Sequence, residues 1–271
     1  MADADSARIS PTAHYTGFVW YRNGLSHPAF KTREGWLLHS LLRPMNRAYS
    51  LTGRAGLDEM LLARHRSIDD LLRRSIADGR VGQVVEVAAG LSPRGFRFVR
   101  EFPRLVYVEG DLPGMASRKR AILARAGIEA GRHHVVDIDA LADDGPRSLV
   151  EVGRRLLQPT TGTALITEGL LGYFPPAAVA GMWRRFADFL SGFPEGVYLS
   201  DLHTRSAGSI RGARLFGKLL SVFARGQVHL HFAGAREAEE ALVTAGFAGP
   251  RVHDGEAVDI VEAVAAPAAR V

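Results

Sequence analysis

The feature that most constrains this chain is a short apolar run that ends abruptly in small residues, Val84-Val85-Glu86-Val87-Ala88-Ala89-Gly90, followed by the turn Leu91-Ser92-Pro93-Arg94-Gly95. A run this brief, bounded by turn residues, reads as a buried strand rather than a helix. Similar runs recur at Leu105–Val108, His134–Asp137, Ala164–Thr167 and Val197–Leu199. Helical patterns lie between them at Met115–Ala126, Arg147–Leu157 and Pro176–Leu190. Strands alternating with helices of this length predict a mostly parallel, doubly wound α/β sheet. Beyond the fifth strand a long insertion runs to about Gly234, and a helix is expected over Arg236–Ala245. Two short strands, Gly249–His253 and Ala257–Val264, then predict an antiparallel pair at the sheet edge.

The N-terminal part is patterned differently. Residues 1–15 are polar, and Tyr15 to Leu62 reads as irregular helix supplying Trp20, Tyr21, Phe30, Trp36, Leu37, Leu38, Leu41 and Leu42. A further helix is expected over Ile68–Ile76, with Leu71 and Leu72 inward and Gly79 at its end. The expected organisation is an N-terminal helical cap, residues 1–80, within the same domain as an α/β core of 81–271, with a substrate-lid insertion near 204–234.

Composition removes several functions. The absence of cysteine excludes disulfides, thiol nucleophiles and thiolate metal sites. Asp3 and Asp5 stand where a secretory signal needs positive charge. No apolar stretch approaches the ~18 residues of a membrane span. A cytoplasmic protein without a membrane partner is therefore expected. The net charge of +5 comes from scattered arginines rather than a concentrated stripe, so no nucleic-acid partner is expected. The densest basic region, Arg205 to Arg225, suits a solvated helix face or a wall over an acidic substrate. His229 and His231 alternate, but third and fourth ligands of suitable spacing are missing, so no metal is assigned.

Ligands of doubly wound sheets sit beyond the carboxyl ends of the strands, where strand order reverses. Ala88, Ala89 and Gly90 let backbone approach a ligand there, and Gly90 tolerates a positive φ. A dinucleotide site would prefer Gly-x-Gly-x-x-Gly, but here the first glycine is missing and Pro93 occupies the turn. No Gly-Lys-Ser/Thr follows, which excludes a P-loop. Glu109 and Asp111 end the second strand, where a carboxylate can accept two ribose hydroxyls; Asp111 equally suits a cap for the helix entered at Pro113. Asp137, ending the third strand, can face an adenine edge or cap a loop. Glu168, ending the fourth in Thr167-Glu168-Gly169-Leu170-Leu171-Gly172-Tyr173, can meet an ammonium, orient an acceptor or be a surface acid.

The blocks Glu86 to Gly95, Tyr107-Val108-Glu109-Gly110-Asp111-Leu112-Pro113 with Arg118-Lys119, Val136-Asp137-Ile138, and Thr167 to Phe174 together resemble the leucine carboxyl methyltransferase superfamily. The resemblance is to its bacterial, tetracenomycin-type polyketide O-methyltransferase branch; Ala63 to Asp69 fits as well, and about residues 60–200 are covered. It implies a class I methyltransferase fold using S-adenosyl-L-methionine. It further implies that Arg64 clamps the cofactor carboxylate, with Arg66 the alternative, that Glu86 opens the binding block, and that Ala88 to Gly90 lie against the methionyl part. Asp111 would take the ribose hydroxyls, Asp137-Ile138 the adenine, and Glu168 the amino end. The sequence departs from the family's usual Gly-Ala-Gly at Ala88.

The leading expectation is an S-adenosylmethionine-dependent O-methyltransferase acting on a carboxylate or hydroxyl of a small aromatic or polyketide-like molecule in secondary metabolism. An ionised carboxylate acceptor needs no base, whereas a hydroxyl more often does. His203, just after the fifth strand, is the candidate base; Tyr173 and Arg22 are candidates for acceptor recognition. The alternatives are a protein that binds the cofactor without methyl transfer, and a nicotinamide-dependent oxidoreductase. A homodimer is compatible with the sequence.

Overall fold

The computed structural model describes residues 11–51, 55–128, 131–204, 229–255 and 258–266. Seven strands form one sheet: β1 (Gln83–Val87), β2 (Val106–Asp111), β3 (His133–Asp137), β4 (Thr163–Thr167), β5 (Gly196–Leu202), β6 (Phe247–His253) and β7 (Asp259–Ala265). Their order is β3-β2-β1-β4-β5-β7-β6. β1 to β5 run parallel, and β7 pairs antiparallel with both β5 and β6. The expected parallel sheet with an antiparallel C-terminal edge is what forms. The order reverses between β1 and β4, which places a ligand crevice at their carboxyl ends.

The helices are α1 (Pro11–Arg22), α2 (Arg33–Ser50), α3 (Leu57–Ala77), α4 (Arg94–Glu101), α5 (Pro113–Arg125), α6 (Leu149–Leu156), α7 (Pro176–Ser191) and α8 (Ala235–Thr244). One sheet face is apolar along its length. Val85, Val87, Val108, Leu165, Tyr198, Val261 and Ala263 meet Leu149 and Val152 of α6, Trp183 and Phe186 of α7, and Leu242 of α8. On the other face Val84, Tyr107, Ala164, Ile166, Val197 and Leu199 pack under Ile68, Leu71 and Leu72 of α3 and Phe98 of α4. Toward the carboxyl ends this second face becomes charged.

The N-terminal region differs from the sequence reading in two respects. Instead of an irregular stretch and a short helix, α3 is continuous from Leu57 to Ala77. Its buried side carries Arg64, His65 and Asp69 among Leu61, Leu62, Ile68, Leu71 and Leu72, so polar residues interrupt the apolar period that would have revealed it. α1 begins at Pro11, within the stretch read as unpatterned. Most of the expected lid, residues 205–228, lies outside the described residues. Among the described residues, no helix is long and apolar enough to cross a membrane.

Candidate cofactor-binding site

The turn after β1 is built around two left-handed residues, Ala88 at φ +56° and Gly90 at φ +50°. Glycine occupies that region freely; alanine does so at a steric cost. The turn is fastened by Ala89 N–H to Gly110 C=O (3.1 Å) and Ser92 N–H to Ala89 C=O (2.8 Å). It brings the Gly90 N–H to 2.7 Å from Asp111 Oδ2, while Leu112 N–H donates to Asp111 Oδ1 at 2.8 Å. Asp111 therefore lies across the mouth of the turn, at the carboxyl end of β2. Burial pushes its carboxyl above the ordinary aspartate value, against the two backbone donors. Asp137 stands in register beside Asp111 and pairs with Arg120 at 3.2 Å. Ile138 follows, buried, its N–H donating to Asp111 C=O at 2.9 Å.

A second group of residues gathers at the ends of β1, β4 and β5. Glu168 is buried, yet its carboxylate accepts from Arg64 Nε at 3.0 Å and Arg94 Nη2 at 2.7 Å, with His65 Nδ1 at 2.8 Å. Burial alone would raise its pKa; His65, Arg94 and Arg64 outweigh that and hold it well below the usual carboxylate range. Arg64 also reaches Asp201 Oδ2 at 3.1 Å, and Asp201 Oδ1 accepts the Gly169 N–H at 2.6 Å. A β-carbon at Gly169 would stand 3.0 Å from Arg64 Nη2, and φ there is +68°. Glycine lets Arg64 fill the space between the two loops. Glu86 is held from below by the Tyr107 hydroxyl at 2.8 Å and by Arg94 Nη1 at 2.6 Å.

Asp111, Asp137, Ile138, Ala88 and Gly90 thus cluster at one side of the crevice, and Arg64, Glu86 and Glu168 at the other. His203 follows β5 with Nε2 3.7 Å from Asp201 Oδ2; burial lowers its pKa, outweighing the carboxylate, which favours the neutral imidazole. Tyr173 closes the short 3-10 turn Leu171–Tyr173 downstream of Glu168, where burial raises its phenol pKa.

Two other candidates sit in separate networks. Glu109 is buried against Lys119 Nζ at 2.8 Å and His133 Nε2 at 2.9 Å. Although burial opposes it, Lys119 and His133 bring the Glu109 pKa down to about 2. Arg22 donates to His39 Nε2 at 3.1 Å, and His39 meets Asp58, which also accepts the Tyr15 hydroxyl. That cluster joins α1, α2 and α3.

Sequence reasoning assigned no role to Arg94, His65, Asp69 or Asp201. Arg94 was visible only as a turn residue, because Asp69 and Glu168 lie 25 and 74 positions away from it. Among the described residues no group of three or more His, Asp or Glu is placed to hold a metal.

The sequence profile of the leucine carboxyl methyltransferase family matches residues 32–187 of this chain. The chain belongs to that family. Among its curated relatives, a protein of Mycolicibacterium gilvum is 35% identical over 130 residues, covering 48% of this chain and 40% of its own length. One of Saccharopolyspora erythraea is 36% identical over 128 residues, covering 46% and 42%. Both are named as candidate S-adenosyl-L-methionine-dependent methyltransferases. The matched segment of this family member thus spans only about two fifths of those relatives. Among solved structures, magnesium protoporphyrin IX methyltransferase from Synechocystis, with bound SAH, superposes with TM-score 0.52 at 13% identity, covering 76% of this chain and 85% of that one. An O-methyltransferase family protein from Burkholderia thailandensis gives 0.52 at 16% identity, covering 76% and 60%. These likenesses are likenesses of fold.

Proposed function

We propose that this family member is an S-adenosylmethionine-dependent O-methyltransferase, acting on a carboxylate or hydroxyl of a small aromatic or polyketide-like acceptor. The observation that carries the reading is Asp111. Its carboxylate, desolvated at the end of β2, rests on the Gly90 and Leu112 N–H groups at the crevice where strand order reverses. A ribose diol would give such a carboxylate two further hydrogen bonds and stabilise its ionised form. The residues suit the rest of the cofactor too. Asp137 and Ile138 continue from Asp111 toward an adenine edge, and the left-handed turn at Ala88 to Gly90 presents backbone to a methionyl chain. Glu168, kept ionised by its cations, suits an ammonium.

When bound, S-adenosylmethionine supplies an electrophilic methyl group on a sulfonium. The chain then has to align an acceptor oxygen and exclude water, which in ideal cases is worth roughly 7–11 kcal/mol. Neutral His203 can take a proton from a hydroxyl acceptor, and Asp201 beside it favours the resulting imidazolium. Ala13 of α1 comes within 3.5 Å of where a β-carbon at Gly90 would stand, so α1 roofs the turn. Tyr173 and the end of α1 are the surfaces against which an aromatic acceptor would rest.

Calorimetry with S-adenosylmethionine, S-adenosylhomocysteine and NAD tests the reading. Binding of both sulfur ligands but not NAD supports it; tight NAD binding with no response to either sulfur ligand overturns it. Asp111→Asn is expected to weaken S-adenosylhomocysteine about ten- to a hundredfold, with stability changed by less than about 1 kcal/mol.

A further inference from the structure

Arg94 is wholly buried, and its guanidinium faces three carboxylates from three different places in the fold. Nε donates to Asp69 of α3 at 2.6 Å, Nη1 to Glu86 of β1 at 2.6 Å, and Nη2 to Glu168 beyond β4 at 2.7 Å. Nη2 also lies 2.9 Å from His65 Nδ1 and 3.4 Å from the His65 carbonyl. The outer side of this cluster is closed by Arg97 on Asp69 at 3.0 Å and by Arg64, which joins Glu168 to Asp201. A continuous chain of polar contacts therefore runs Tyr107–Glu86–Arg94–Glu168–Arg64–Asp201–Gly169, from the start of β2 across the carboxyl ends of β1, β4 and β5.

Stability alone gives little reason for this arrangement. A buried charge network commonly contributes no more than a well-packed apolar replacement of the same volume. What an apolar replacement cannot do is fix a carboxylate in one orientation. Guanidinium is suited to that task, since its planar fork stays charged at every accessible pH and holds several acceptors at fixed angles.

We propose that Arg94 is a positioning residue for cofactor binding: by tying Glu168 to Glu86 and Asp69, it holds the Glu168 carboxylate ionised and oriented toward the cofactor's ammonium. This rests on the proposed cofactor reading. The arginine acts through Glu168 and does not itself touch the ligand. The groups that face Glu168 are Arg64 and His65 from α3 and Arg94 from α4, with Asp69, Glu86, Asp201 and His203 behind them.

The test is S-adenosylhomocysteine affinity, by calorimetry from pH 3 to pH 8, in wild type, Arg94→Lys, Arg94→Gln, Arg94→Gln/Glu168→Gln and Arg97→Gln. With Arg94→Gln, affinity at pH 7 is expected to fall at least about tenfold. An acid limb of binding is expected to rise into the low end of that window, where the wild type is still flat, because Glu168 then protonates more readily. The double variant loses that displaced limb. Arg94→Lys restores charge without the fork and falls between wild type and Arg94→Gln; it also serves if Arg94→Gln does not fold. Arg97→Gln, which removes a cation that touches Asp69 and His65 Nε2 but not Glu168, leaves the limb in place. An Arg94 variant that melts at lower temperature but keeps wild-type affinity and pH profile overturns the proposal, as does a limb that survives in the double variant. Failure of the wild type to bind S-adenosylhomocysteine at any pH would instead overturn the cofactor reading.

Discussion

The two faces of the sheet bury similar backbone under different chemistry. On the face covered by α6, α7 and α8, apolar side chains continue from strand beginnings to strand ends. Its main polar insertion is self-contained: Thr167, Ser200 and the Trp183 indole meet around the Tyr198 hydroxyl and each other. On the face covered by α3 and α4, apolar residues give way to Glu86, Glu109, Glu168 and Asp201, with Arg64, Arg94 and Lys119 brought in from helices to meet them. Apolar packing needs only volume and fit, whereas each buried charge needs a partner at a defined angle. The contrast indicates that one face stabilises by volume and fit and the other by partners placed at fixed angles, and mutation should separate the two.

Trp183 gives the largest expected effect on the apolar face. It is 1% exposed, stacks on Phe232 at 5.4 Å between ring centres, and donates to the Tyr198 hydroxyl at 3.2 Å. Trp183→Ala should lower unfolding free energy by roughly 3–5 kcal/mol, measured by denaturant titration. Cofactor affinity of the molecules that remain folded should be unchanged. A loss of affinity in the folded fraction would mean that the two faces are coupled and the contrast is false.

Glu109 gives the next effect, on the charged face. Burial resists its ionisation, but Lys119 and His133 bring its pKa from the ordinary 4.5 to about 2. A carboxylate depressed in this way stabilises the fold fully above the ordinary value, and that stabilisation is lost as pH falls from about 4.5 toward 2. Glu109→Gln should therefore cost roughly 3 kcal/mol at pH 7 and much less near pH 2. Thermal unfolding of both proteins across that range is the check. Parallel curves at all pH values would show that the ion pair is not what stabilises this edge.

The same contrast explains which parts of the molecule the sequence revealed. The strands were legible because both faces bury apolar residues over much of β1, β4 and β5, giving short dense apolar runs there. Their ends read short at Thr163 and Gly196, which are polar or small, and after Leu199, where Ser200 and Asp201 stand before Leu202. α3 was the least legible helix, since Arg64, His65 and Asp69 sit on its buried side. Asp111, Asp137 and Glu168 were legible as ligand candidates because each ends a strand, and local position is what a sequence displays. Arg94, Asp69 and Asp201 were not, because their meaning lies in partners brought together only by the fold. For Glu109 and Arg22, position along the chain suggested a site role, while the structure shows which ion-pair networks engage them.

Ala88 gives the smallest expected effect and lies where the two faces meet. Its methyl packs against the apolar face, yet its φ of +56° is one that L residues enter at about 1–2 kcal/mol. Ala88→Gly removes that strain. It also removes a half-buried methyl, worth about 0.8 kcal/mol if fully buried, and frees the unfolded chain by about 0.4–1 kcal/mol. These terms nearly cancel, so stability should change by less than about 1 kcal/mol, while the turn gains room for a methionyl chain. Affinity for S-adenosylhomocysteine should hold or rise, measured beside a melting curve. A destabilisation well beyond that range would place Ala88 with the apolar face, its methyl being the reason alanine stands where the backbone favours glycine. Unchanged stability with tighter binding would place it with the crevice, where the methyl is an obstacle to the ligand.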